Sequence, residues 1–124
     1  MENNNININV ESDFIKDRSS PIIPTYLFSY NIEIYNREGG DIQLLSRYWH
    51  IKDGGGHIEE IRGPGVIGLK PTIKSNETFN YSSYCALKTP FGIMRGSFYM
   101  RDFEGNYFNI LVSPFNLTAP NYIN

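Results

Sequence analysis

Gly63, Gly65 and Gly68 sit in the run Arg62-Gly63-Pro64-Gly65-Val66-Ile67-Gly68-Leu69-Lys70-Pro71, at the G-x-G-x-x-G spacing of many phosphate-cradling loops. A dinucleotide-binding turn of this kind needs a strand before it and a helix after it, because the helix N-terminus holds the pyrophosphate. Pro71 pushes Lys70 out of the α region, and Leu69-Lys70 alone cannot carry a helix. No G-K-S/T ending follows, which excludes a P-loop. A kinase-type glycine loop sits between two strands, but H-R-D is missing and Asp102-Phe103-Glu104-Gly105 is one residue too long for D-F-G. The spacing therefore reads first as a strand bent or bulged at its glycines, where another backbone can approach. What remains for chemistry is a nest of N–H groups flanked by cations. Arg62, Gly63, Gly65, Gly68 and Lys70 form a weak candidate site for phosphate, pyrophosphate or a nucleotide polyphosphate.

Other reactive residues are few. His50 and His57 are the only histidines, and either could join Asp53 or Glu59 around a cation across one turn. The simpler expectation places His50 on an outward strand face and His57 in a solvated turn, with no metal site and no cofactor. Cys85 lies in the aromatic run Tyr81-Ser82-Ser83-Tyr84-Cys85, where a small buried thiol is the usual outcome rather than a nucleophile. Ser46 and Ser82 have no identifiable base. Adjacent Glu59 and Glu60 point to opposite faces of any strand and make no acid/base dyad. Arg47 shares the strand phase of Trp49 and needs carboxylate or carbonyl partners if it is drawn inward. No catalytic constellation is complete, so the chain is expected not to be an enzyme.

Composition limits the partners. The 124 residues carry a net charge of −2, and the basic residues are scattered along the chain, unlike the concentrated footprint of a nucleic-acid binder. A single cysteine excludes an internal disulfide and a Cys-rich zinc site. No apolar run reaches the roughly 20 residues needed to span a bilayer. Met1-Glu2-Asn3-Asn4-Asn5 has neither the basic region nor the apolar core of a secretory signal, so the expected compartment is the cytosol, with no membrane contact.

The elements that must position these groups read as strands. Nine Tyr and eight Phe favour sheet over helix. Asn4 to Val10 alternates strictly, and Tyr26 to Asn36 does so more strongly, with Tyr26, Phe28, Tyr30, Ile32 and Ile34 on one face. Phe14 to Pro24 reads as a connection or irregular edge because of its prolines. Further strands are expected over Ile42 to Lys52, with Leu45, Arg47, Trp49 and Ile51 sharing a face. Others follow over His57–Arg62, Val66–Ile73, Thr78–Leu87, Ile93–Phe103 and Tyr107–Val112. Asp53-Gly54-Gly55-Gly56 closes a hairpin. No window has capped helical periodicity. Strands separated by turns about every eight to twelve residues predict one all-β antiparallel sandwich domain over 1–124, with 1–5 and 121–124 as frayed tails. Trp49 belongs in its core. Tyr48, Tyr84 and Tyr99 fall opposite the core phase or beside turns, and form the candidate surface for a protein partner.

Four ordered blocks carry a resemblance: Tyr26 to Asn36, Gln43 to Asp53, Gly63 to Pro71, and Phe79 to Met100, with Ser113 to Pro120 closing it. Over Tyr26 to Pro120 the chain resembles the ApaG domain family, also called CorD. The resemblance implies an immunoglobulin-like or fibronectin type III-like sandwich of about seven to nine strands. It further implies an association with cobalt and magnesium tolerance, and a partner-binding role like that of similar domains appended to eukaryotic F-box and DNA polymerase-interacting proteins. Lys70 stands where the family usually has Gln, Ser75-Asn76-Glu77 replaces a P-G-E turn, and Ser113 replaces Ile before the proline. These changes leave the expected fold untouched.

Overall fold

The computed structural model describes residues 5–20, 22 and 25–120. The expected frayed ends lie outside them, apart from Asn5. Among the described residues, eight antiparallel strands form two sheets. The smaller contains β1 (Ile6–Phe14), β2 (Tyr26–Asn36) and β6 (Thr78–Leu87) in the order β1-β2-β6. The larger runs β4 (Ile58–Pro64), β3 (Ile42–Asp53), β7 (Phe91–Arg101), β8 (Tyr107–Thr118), with the two-residue β5 (Thr72–Ile73) also on β3. A short 3-10 turn, Lys16–Arg18, follows β1. This is the expected β-sandwich.

Alternation builds the core. Along β2, Tyr26, Phe28, Tyr30, Ile32, Ile34 and Asn36 are buried while their neighbours are half-buried on the outer side. From the larger sheet, Trp49 and Phe98 face them, 5.7 Å apart edge to face, with Tyr30 and Phe115 completing the aromatic ring around the indole. Asn36, fully buried, is satisfied rather than orphaned. Its side-chain amide donates to Gly40 O and Ile73 O at 2.9 Å each, and its Oδ1 accepts from the Glu38 amide at 2.8 Å. It thereby ties the end of β2 to β5 and to the β2–β3 turn.

Several expected boundaries change. The register between β3 and β7 slips between Leu44 and Ser46, so a bulge at Leu45 sets the phase. Leu44, not Leu45, joins Ile42, Trp49 and Ile51 in the core, and Leu45 is half-buried. Val66–Ile73 is not one strand. Only Thr72–Ile73 pairs, and Val66–Leu69 forms its own tight reversal. β1 starts later and runs four residues past Val10, to Phe14. β8 continues beyond Val112 to Thr118, because Pro114 sits on an edge strand opposite a second bulge between Met94 and Gly96.

Candidate functional site

Two glycines of the triplet, Gly63 and Gly65, have a structural occupant in place of a phosphate, while a Cβ on Gly68 would meet open space. A Cβ on Gly63 would lie 2.9 Å from the Arg47 guanidinium, which crosses this position to donate to Pro64 O (3.2 Å) and Gly65 O (3.1 Å). Arg47 therefore takes loop carbonyls, as its phase beside Trp49 required. Gly65 has φ +59°, and a Cβ there would meet Leu69 O at 2.0 Å. Ile67 and Gly68 follow with φ 45° and 78°. The amides of Val66 and Leu69 donate to each other's carbonyls at 2.8 and 2.9 Å. This is a two-residue reversal with positive φ at both central positions, the kind suited to hairpins. The Gly65 amide is also committed, to Leu45 O at the bulge (2.7 Å). Three of the amides that a phosphate nest would use are thus bonded within the protein. Lys70 is exposed, and its carbonyl accepts from Gln43 Nε2 at 3.2 Å.

Arg62 turns away from this reversal. Its guanidinium lies 4.3 Å above the Tyr48 ring and pairs with Glu60 at 3.4 Å. Tyr48 Oη donates to the same Glu60 carboxylate at 2.7 Å. That bond, before any other influence, holds the Tyr48 hydroxyl pKa above its ordinary value. The register explains the cluster: Tyr48 stands opposite Arg62 on β4 and Ser97 on β7. One step along, Ser46 stands opposite Tyr99, and Tyr99 opposite Asn109. The Tyr99 and Tyr107 rings stack at 5.7 Å and 13°, with Arg101 5.9 Å from the Tyr107 ring. Tyr48, Arg62, Ser97, Tyr99 and Asn109 line a shallow groove of about 290 Å³ on this outer face.

The structure brings Tyr48 and Tyr99 together but not Tyr84. Tyr84, 61% exposed, pairs with Ser29 of β2 and lies on the outer face of the other sheet. Glu60, Arg101, Tyr107 and exposed Leu111 were missed as site residues. Alternation of Arg95, Ser97, Tyr99 and Arg101 along β7 was the available signal.

The remaining reactive groups are dispersed over the sandwich. His50 stands on the outer face of β3 opposite Glu60 and Arg95, while His57 is exposed at the approach to β4. Asp53 Oδ1 accepts from the Gly55 and His57 amides at 2.9 Å each, closing the hairpin. Among the described residues, no three His, Cys, Asp or Glu side chains converge on one point. Cys85 is buried, and burial, with a smaller contribution from Glu59, pushes its thiol pKa up to about 11. A thiol held protonated at neutral pH is a poor nucleophile. No helix among the described residues is long and apolar enough to cross a membrane.

The family profile described as the ApaG domain matches residues 16–102. This chain belongs to the ApaG domain family. It is 44% identical to the protein ApaG of Mesorhizobium japonicum over 116 residues, covering 94% of this chain and 89% of that one. It is 41% identical to the protein ApaG of Shewanella halifaxensis over 115 residues, or 93% and 91%. A crystal structure from the Northeast Structural Genomics Consortium superposes with a TM-score of 0.90 at 40% identity, over 97% of this chain and 91% of that one. A segment of Bacteroides uniformis β-glucuronidase 2 shares the fold alone, with a TM-score of 0.55 at 15% identity, over 90% of this chain and 14% of that one. These two ApaG relatives carry no enzymatic name.

Proposed function

We propose that this ApaG domain is a non-enzymatic, cytosolic protein-binding module whose contact surface is the outer face of the five-stranded sheet around Tyr48, Arg62 and Tyr99. The observation carrying this reading is the preassembled Tyr48–Arg62–Glu60 cluster beside the Tyr99–Tyr107 stack. Tyrosine and arginine are the residues on which interface energy concentrates, and side chains already held in place lose little entropy on binding. The absence of an activated nucleophile among the groups above supports a role without chemistry. Any link to cobalt or magnesium tolerance then runs through the partner. The test is affinity capture with Tyr48→Ala, whose backbone lies in a central strand and whose side chain is outside the core. A specific partner lost with this variant supports the reading; a partner retained at full affinity by both Tyr48→Ala and Tyr99→Ala overturns it.

A second reading, pyrophosphate or a nucleotide polyphosphate held at Arg62, Gly63, Gly65, Gly68 and Lys70, rests on the glycine spacing and two nearby cations. The commitment of the Gly65, Val66 and Leu69 amides weighs against it. Calorimetry with pyrophosphate on the native chain and Arg62→Ala decides: saturable heat lost in the variant supports it, and no heat at millimolar ligand removes it.

A further inference from the structure

Charge that is scattered along the sequence is sorted by the fold. On the outer face of the five-stranded sheet stand Lys52, Arg62, Arg95 and Arg101, interleaved with Tyr48, Tyr99 and Tyr107. Glu60 is the carboxylate among those strand positions, and Arg62 already occupies it. Lys52, Arg95 and Arg101 have no carboxylate at ion-pair distance among the described residues. On the outer face of the three-stranded sheet, Glu11, Asp13 and Glu33 stand among Asn, Ser, Thr and Tyr, with no Lys or Arg at its outward strand positions. A chain of net charge −2 thus presents one cationic face and one anionic face on opposite sides of the sandwich.

The geometry points to an acidic protein segment, its carboxylates interspersed with apolar side chains, as the partner of the five-stranded face. This deepens the binding-module reading and rests on it. The unpaired guanidinium groups call for carboxylates, which arginine takes with paired, charge-assisted bonds. Apolar residues lie among them: Leu111 is 79% exposed directly opposite Ser97, and Ile58 and Ile93 flank Lys52 in register. An acidic segment with leucine-like side chains matches both features. Single-stranded nucleic acid fits less well. Its bases need open aromatic faces, but Tyr48 is stacked under Arg62, and Tyr99 and Tyr107 are stacked on each other. Leu111 would also face a phosphate backbone.

The test follows amide resonances of the full chain during titration with three probes: a 12-residue alternating Glu/Leu peptide, its Lys/Leu counterpart, and a thymidine dodecanucleotide. The expected result is saturable shifts on the outward positions of β3, β4, β7 and β8 with the Glu/Leu peptide alone. Arg95→Glu/Arg101→Glu should weaken it about tenfold, or about 1.4 kcal/mol. Arg95→Gln/Arg101→Gln, a milder pair at exposed positions, should weaken it in the same direction, and dispersed spectra report that both variants fold. Tighter binding of the oligonucleotide on that face, shifts confined to the three-stranded sheet, probe-free shifts that grow with protein concentration, or no shifts at all would each overturn the inference. A native partner lost with Tyr48→Ala but indifferent to both arginine pairs and to salt sinks the acidic-partner inference and leaves the module standing. A native partner indifferent to Tyr48→Ala, Tyr99→Ala and the arginine pairs sinks both.

Discussion

Gly63 and Arg47 depend on each other across one step of the β3–β4 ladder, since the guanidinium rests where a side chain on residue 63 would begin. Gly63→Ala should displace it from the carbonyls of Pro64 and Gly65. The expected cost is about 1.5–3 kcal/mol, the range for hydrogen bonds to charged groups. Urea denaturation measures it, and an unchanged midpoint would show that the guanidinium finds equal partners elsewhere. Arg47→Lys should cost less than Gly63→Ala, because both carbonyls are taken by the single nitrogen Nη1 and a lysine ammonium carries three donors on one nitrogen. Cys85 gives a pH prediction. Burial raises its pKa from an ordinary 9.0 to about 11, so the native state keeps a proton that the unfolded state releases first. That contribution is intact below pH 9 and is lost as pH rises towards 11. Burial raises Tyr30 and Tyr81 as well, from 10.0, and they add to the alkaline loss above pH 10. The urea midpoint should therefore be flat to about pH 9 and fall beyond it. Between pH 8.5 and 10.5, Cys85→Ala should lose less stability than the native chain; an equal loss in both would remove the thiol as a cause.

Among the elements, the Val66–Leu69 reversal makes the sharpest contrast. Ile67, 56% exposed, holds φ 45°, where a β-branched side chain is strained, and Gly65 holds φ +59° with no room for a Cβ. Ile67→Asn should raise stability by about 1 kcal/mol, or the melting temperature by about 4 °C, since Asn tolerates that region and little burial is given up. Gly65→Ala should lower stability by more than about 2 kcal/mol, through backbone strain and collision with Leu69 O. Calorimetric melting of the two variants checks both signs, and a fall for Ile67→Asn would contradict the strain. The same reversal explains an error of reading. Val66–Ile73 looks like one strand because Val, Ile and Leu are strand formers, and nothing local announces that Ile67 will sit in the left-handed region. Leu45 is similar: two adjacent leucines are equivalent until β7 pairs with β3 and the bulge assigns Leu44 to the core.

For the whole molecule, sorted charge has a cost that pairing would have removed. Lys52, Arg95 and Arg101 repel one another on one face, as do Glu11, Asp13 and Glu33 on the other. Exposed Arg62–Glu60 offers little attraction to set against this. Raising NaCl from about 20 to 300 mM shortens the screening length to under about 10 Å. It should therefore raise the melting temperature slightly rather than lower it. Glu33→Gln should raise stability at low salt and do less at high salt. A melting temperature that falls steadily with NaCl would show that attraction outweighs repulsion in the folded state.

The sequence alone determined the fold class, the family and most of the core, Leu44 being the exception that the bulge decided. Alternation along Tyr26 to Asn36 fixes which side chains are buried, whatever sheet receives them, because successive strand residues point to opposite faces. Trp49 in the core, the failure of the glycine spacing as a cofactor loop, and the inert setting of Cys85 follow from local rules of the same kind. Only the tertiary structure decided which exposed residues share a surface. Tyr48, Arg62, Arg95, Tyr99, Arg101 and Tyr107 come from four strands and meet through hairpin register, while Tyr84, alike in type and also facing outward, goes to the other sheet. Periodicity says that a side chain points outward; strand pairing alone says beside which neighbours.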